Sequence, residues 1–318
     1  MMQKKGFSVR DLTVRYADGN AHMTALADVS ADFPVGGVTA IIGESGSGKS
    51  TLGQALFGAL PTGTEITGRI LFDGVNVTAL SQEVLRSQYW GKRWGLVPQL
   101  PRAALSPVHR IERQMADVRR GAGRPAWDTA QYEALLARFG FDDPMRVLRS
   151  YPHELSGGMR QRCLIAAAIA CKPRLLFADE PTTALDVTTE AQVLNVLQQM
   201  QEELHMAVLL ISHNLGVIAR MCRRVYVMYA GTVVEEATTE RLFAEPAHPY
   251  TKGLLSSLPA LHDKGEILKG IGGQTPDLFR LPQGCRFFSR CRDGMRICER
   301  LEPPTFDLGK GQKASCWL

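Results

Sequence analysis

What this sequence lacks narrows its function before any motif is read. No apolar run approaches the roughly 20 residues that a membrane-spanning helix needs; the longest are residues 164–171 and 206–211. The first six residues are polar and contain no apolar core of a signal peptide. The expectation is a protein made and kept in the cytosol, meeting a membrane only through a partner. A dense basic stripe is also missing. The net charge is a mild +5, and the Arg119-Arg120 and Arg223-Arg224 pairs read as solvated surface, so nucleic acid is not an expected partner. There is no internal repeat and no low-complexity tract. At 45% apolar and 22% charged residues, nothing argues for disorder. A length of 318 residues suits one domain of about 250 residues with an appendage.

The pattern along the chain is that of an α/β protein. Leu12, Val14 and Tyr16 alternate with Thr13 and Arg15, a half-buried strand within residues 7–16. Residues 38–42 form a buried strand that runs into a glycine-rich turn, with a helix expected from Lys49 to about Leu60. Short strands follow at 69–72 and 94–97. Residues 111–149 are charged and helix-prone, with breaks at 121–125, and read as an inserted helical subdomain. A helix over 159–171, a buried strand at 175–178, an amphipathic helix and a buried strand at 207–212 come next. Val193, Leu197, Met200 and Leu204 share one face of that helix. Residues 225–229 and 232–235 flank Ala230-Gly231 as a hairpin. Buried strands alternating with helices indicate a mainly parallel sheet. After Tyr250 the texture loosens into a linker and a small terminal element.

Gly43-Glu44-Ser45-Gly46-Ser47-Gly48-Lys49-Ser50 fits G-x-x-x-x-G-K-[ST] in full, with Thr51 following. Its glycines let successive N–H groups face one point, and the helix behind adds positive partial charge. Lys49 can reach the β- and γ-phosphates, and the Ser50 hydroxyl suits Mg²⁺. The strand at 175–178 ends in Asp179-Glu180. Ligands of parallel sheets bind at the carboxyl ends of strands, which puts these acids on the rim that the phosphate loop occupies. Asp179 can then hold Mg²⁺ and Glu180 can polarise an attacking water; the alternative is that the pair only caps the next turn. His213 ends another core strand and can reach the γ-phosphate or the water. Gln99 is a further candidate for Mg²⁺ or water.

This order of motifs resembles the nucleotide-binding subunits of ABC transporters over about residues 7–250. Gly43 to Ser50 looks like the Walker A loop and Gln99 like the Q-loop. Leu155-Ser156-Gly157-Gly158-Met159-Arg160-Gln161-Arg162 looks like the signature sequence. Residues 175–180 look like Walker B, Ala184-Leu185-Asp186 like the D-loop and His213 like the switch histidine. Tyr16 looks like the aromatic that stacks on adenine. The resemblance implies a P-loop NTPase (RecA-like) core with an antiparallel β subdomain and a helical subdomain at about 100–160. It implies ATP and Mg²⁺ as ligands, with Glu180 as catalytic base. It also implies a head-to-tail dimer in which Ser156, Gly157 and Gly158 of one subunit close over ATP held by the other. Two positions depart from the pattern. Leu100 stands where an acidic residue usually follows the glutamine, and Asn214 replaces the aspartate after the histidine.

Residues 251–318 narrow the resemblance. His248-Pro249-Tyr250-Thr251 and the tail with Cys285, Cys291, Cys298 and Cys316 look like the ATPases of oligopeptide, dipeptide and nickel importers. The spacing Cys-x₅-Cys-x₆-Cys-x₁₇-Cys lacks the short steps of zinc fingers and ferredoxins. From the resemblance a [4Fe–4S] cluster is expected, with zinc or free thiols as alternatives. Cys163, Cys171 and Cys222 read as buried packing residues. The implied protein is the ATP-hydrolysing subunit of an importer of peptides or nickel complexes, peripheral on the cytoplasmic face of the inner membrane. Its implied partners are a homologous ATPase, two membrane permeases and an extracytoplasmic solute-binding protein. A soluble ABC ATPase, an importer of opines or metallophores, and a cysteine-based regulator are the competing readings.

Overall fold

A computed structural model describes residues 6–18, 21–183, 185–257 and 270–318. Readings that fall on residues 1–5, on Ala184 or on 258–269 lie outside the described residues. Among the described residues no helix is long and apolar enough to cross a membrane. The chain forms two compact units. The first comprises Met1–Phe33, Val38–Ala79 and Ile211–Leu318, and the second Pro34–Gly37 and Leu80–Leu210.

The strands in chain order begin with β1 (Gly6–Asp18), β2 (Ala21–Pro34), β3 (Val38–Ile42), β4 (Glu65–Phe72), β5 (Val75–Asn76) and β6 (Trp94–Val97). They continue with β7 (Leu175–Asp179), β8 (Ala207–Ile211), β9 (Arg224–Tyr229), β10 (Thr232–Thr238), β11 (Phe306–Gly309) and β12 (Gln312–Ala314). In the first unit, β2-β1-β4-β5 make one sheet, with β1 antiparallel to β4 and β4 to β5. This is the expected antiparallel subdomain. Its inner face buries Phe7, Val9, Leu12, Val14, Ile70 and Phe72. The order β11-β12-β10-β9-β3 follows, with β3 parallel to β9 and the other neighbours antiparallel. Between β9 and β10, Ala230 and Gly231 both have positive φ, the turn that suits the twist of a two-residue hairpin.

The second unit holds β8-β7-β6, with β6 parallel to β7. Every residue of β8 is buried, as befits a strand covered on both faces. The inserted helices are Ile111–Gly121, Thr129–Arg138 and Pro144–Arg149. Asp128 begins the second with a complete capping box, and Asp143 caps the third ahead of its N-terminal proline. The helix Val187–Leu204 buries Val193, Leu197 and Met200, as its periodicity predicts.

Arginine is where composition misled. Arg119 is buried, not solvated; its Nε donates to the Pro125 carbonyl at 2.9 Å and its guanidinium lies 4.2 Å from the centre of the Trp127 ring. Arg224 is half-buried and pairs with Glu236. The tail is also more ordered than its texture suggested. It contains the helix Arg296–Arg300 and the hairpin β11–β12, and β12 joins β10. Cys163, Cys171 and Cys222 are buried, as expected.

Candidate functional site: a phosphate loop and a carboxylate rim

In the first unit the loop after β3 closes on itself. Lys49 is buried, and its ammonium donates to the carbonyls of Gly43 at 2.9 Å and Glu44 at 2.7 Å and to Ser47 Oγ at 3.3 Å. The Ser47 N–H donates to the Glu44 carbonyl, and the Gly231 N–H to the Ser47 carbonyl. Two glycines are required by geometry. A Cβ on Gly43 would lie 2.2 Å from the Met228 carbonyl oxygen. At Gly48, φ is +99° and a Cβ would meet Ala25 O at 2.9 Å. Gly48 is the residue before the helix Lys49–Phe57, which Gly58 ends in a left-handed conformation. Ser45, Gly46 and Ser50 are exposed, and Gly43, Gly48 and Thr51 half-buried. A glycine-rich turn that holds a buried lysine and leads into a helix N-terminus is of the kind that can take polyphosphate.

Tyr16, on β1, is half-buried in this unit. His213, just beyond β8, is exposed. Asn214 begins the helix Leu215–Met221, its side-chain oxygen accepting from the Gly216 N–H at 3.0 Å and the Val217 N–H at 3.4 Å. The departure from aspartate therefore keeps a sound helix cap, since asparagine and aspartate cap about equally well.

In the second unit β7 delivers Asp179, half-buried, and Glu180. Glu180 has φ of +47°, a left-handed conformation rare for a side chain of this kind. Such strain concentrates at sites whose surroundings hold a side chain in place. The Glu180 carboxylate accepts from Gln99 Nε2 at 3.1 Å and from Thr183 Oγ1 at 3.1 Å. Two candidate site residues 81 positions apart in sequence are thus hydrogen-bonded. Leu100, beside Gln99, is 67% exposed. Ser156 Oγ accepts from the Met159 N–H at 3.2 Å and caps the helix Gly157–Ala170, whose first residues Gly157 and Gly158 are half-buried. Asp186 caps the helix Val187–Leu204, and its bonds to the Thr189 N–H and hydroxyl hold its carboxyl below the usual range.

The four tail cysteines line one small cavity with His248, Phe287 and Trp317. The expected metal centre is not formed there: among the described residues no three His, Cys, Asp or Glu side chains gather as a ligating set. Burial pushes the Cys285 thiol up to about 11, and raises Cys291 and Cys316 as well.

The motifs gave no sign of the contacts that hold Glu44. The Glu44 carboxylate pairs with Arg290, and the Glu44 N–H donates to the Tyr250 hydroxyl at 2.7 Å. Glu44 occupies a position where the motif accepts any residue, and its partners lie 206 and 246 residues downstream. No local pattern could have joined them.

Comparison with known proteins agrees with these observations. Residues 26–183 match the ABC transporter family, and residues 234–298 match the oligopeptide/dipeptide transporter C-terminal region. The chain is 40% identical to the dipeptide transport ATP-binding protein DppD of Bacillus subtilis, over 99% of this chain and 95% of that protein. It is 38% identical to the oligopeptide transport ATP-binding protein OppD of Haemophilus influenzae, over 98% and 96%. Among solved structures, a dimeric ATP-binding cassette, MJ0796, bound to ADP and Pi superposes with a TM-score of 0.65 at 26% identity, covering 73% of this chain and 98% of that one. The cbiO1 cassette of Clostridium perfringens gives 0.63 at 28%, covering 76% and 92%. With its phosphate loop, its strained carboxylate and full-length relatives of this kind, the chain belongs to the ATP-hydrolysing, ATP-binding subunits of ABC transporters, in the branch that carries the oligopeptide/dipeptide transporter C-terminal region.

Proposed function

We propose that this subunit hydrolyses ATP to drive uptake of peptides through partner permeases, with Glu180 as the general base. The observation that carries the assignment of the base is the Gln99–Glu180 hydrogen bond, which anchors the carboxylate of a residue already held at positive φ. In this reading the loop from Gly43 to Thr51 binds the phosphates through its N–H groups and Lys49. Tyr16 stacks on the adenine. Glu180 takes the proton of the attacking water, and His213 and Gln99 orient that water and the γ-phosphate. Ser50, Asp179 and Gln99 offer a hydroxyl, a carboxylate and an amide, the oxygen donors that suit Mg²⁺. When bound, the ion neutralises charge developing on the phosphates.

Ser156, Gly157 and Gly158 serve ATP held by a second, homologous subunit, so ATP joins the pair and hydrolysis releases it. The pair works against two membrane permeases, placing this chain peripherally on the cytoplasmic face of the membrane, and an extracytoplasmic solute-binding protein delivers the cargo. Peptide is preferred over nickel complexes because relatives 40% and 38% identical to the chain are named for dipeptide and oligopeptide transport.

The central test is Glu180→Gln. ATP binding should stay within about twofold of wild type while turnover falls by at least about a hundredfold. Undiminished turnover in that variant would remove Glu180 as the base.

A further inference from the structure

The phosphate loop is held from outside by the tail, and the contact is too complete to be incidental. The Arg290 side chain is only 4% exposed. Its Nη1 and Nη2 donate to the two oxygens of Glu44 at 2.6 and 3.0 Å, the bidentate fork. The remaining donors go to Tyr229 Oη at 3.3 Å, to the Ile271 carbonyl at 3.3 Å and to the Gly272 carbonyl at 2.8 Å. All five guanidinium N–H groups are thereby used. The guanidinium also lies 5.7 Å from the centre of the Tyr229 ring and 6.0 Å from that of Phe287. Four residues earlier, Arg286 donates to the Ala230 carbonyl, and the next residue, Gly231, donates its N–H to the Ser47 carbonyl.

Glu44 is therefore fixed at three points. Arg290 holds its carboxylate, Tyr250 accepts from its N–H, and its carbonyl accepts from Lys49 and Ser47. Lys49 and Ser47 belong to the phosphate-binding turn itself. We infer that Arg290 is a positioning residue for nucleotide binding: acting through Glu44, it holds the loop in its phosphate-ready form before ATP arrives. A loop left to order itself on binding would lose that ordering free energy from the affinity. The effect should fall on ATP affinity and KM, with kcat changed much less, because every donor of the Arg290 guanidinium is used on Glu44, Tyr229 and the carbonyls of the tail.

The test is ATP affinity in the purified full-length chain, with KM and kcat alongside, for Arg290→Gln, Glu44→Gln and the double variant. Each single change should weaken ATP binding by about tenfold, the scale of a lost charge-assisted pair. The double variant should be no weaker than about the same tenfold, because both changes break one contact. A general loosening of the tail would instead lower thermal stability without this non-additive loss of affinity. Should Arg290→Gln fail to fold, Glu44→Gln decides, since it leaves Arg290 and the tail intact. Wild-type affinity in Glu44→Gln, or single effects that multiply in the double variant, would overturn the inference.

Discussion

Acidification should destabilise this protein through His248. The residue is almost fully buried at 1% exposure, and desolvation, with a smaller contribution from Lys252, pulls its pKa from 6.5 down to about 4. The structure shows what the neutral ring does. Nδ1 accepts the Tyr250 N–H at 3.0 Å, capping the helix Pro249–Leu255, while the backbone N–H of His248 donates to Glu235 at 2.9 Å. A proton on Nδ1 would remove that acceptor. Because the folded pKa lies below the unfolded one, the unfolded chain binds more protons between them. The contribution is whole above pH 6.5 and disappears as pH falls toward 4. The full window corresponds to about 3 kcal/mol, of which about 2 kcal/mol should be gone at about pH 5. The assay is urea unfolding at several pH values for wild type and His248→Asn, whose side-chain oxygen can keep the cap without titrating. The difference between the two curves should grow with acidity. Parallel curves would refute the reasoning.

Two further outcomes are expected. Glu235 is a buried carboxylate that accepts from the N–H groups of Ala247 and His248 and from Gln312 Nε2, each at 2.9 Å. Glu235→Leu leaves those donors unpaired and should cost about 2–4 kcal/mol in denaturant unfolding. Asn214→Ala should cost about 1 kcal/mol by loss of the cap, while Asn214→Asp stays near wild type, read by thermal melts of both variants.

The contact between the tail and the phosphate loop changes how the C-terminal region is understood. It is not only an appendage. Tyr229, Tyr250 and Phe287 pack with ring centres 4.7 to 5.4 Å apart beneath the loop. Arg286 and Arg290 reach out from the same cysteine-bearing segment, where the Cys285 N–H donates to the Cys298 carbonyl at 2.7 Å.

What the sequence by itself determined is whatever its chemistry needs from adjacent residues. The loop from Gly43 to Ser50 was legible because its glycines, lysine and serine act within one turn. Strands β3 and β6 were legible to the residue because short apolar runs ended by turn formers leave little choice. The helix Lys49–Phe57 stopped three residues before its expected end because Gly58 adopts the left-handed cap, which only backbone geometry reveals. Tertiary structure alone decided the burial of Arg119, the addition of β12 beside β10, the Gln99–Glu180 bond, the cysteines' failure to gather as metal ligands, and the Arg290 clamp on Glu44. Each of these depends on partners brought together from distant stretches of chain. A residue's own neighbours in sequence carry no record of which carboxylate or carbonyl will face it once the sheets have formed.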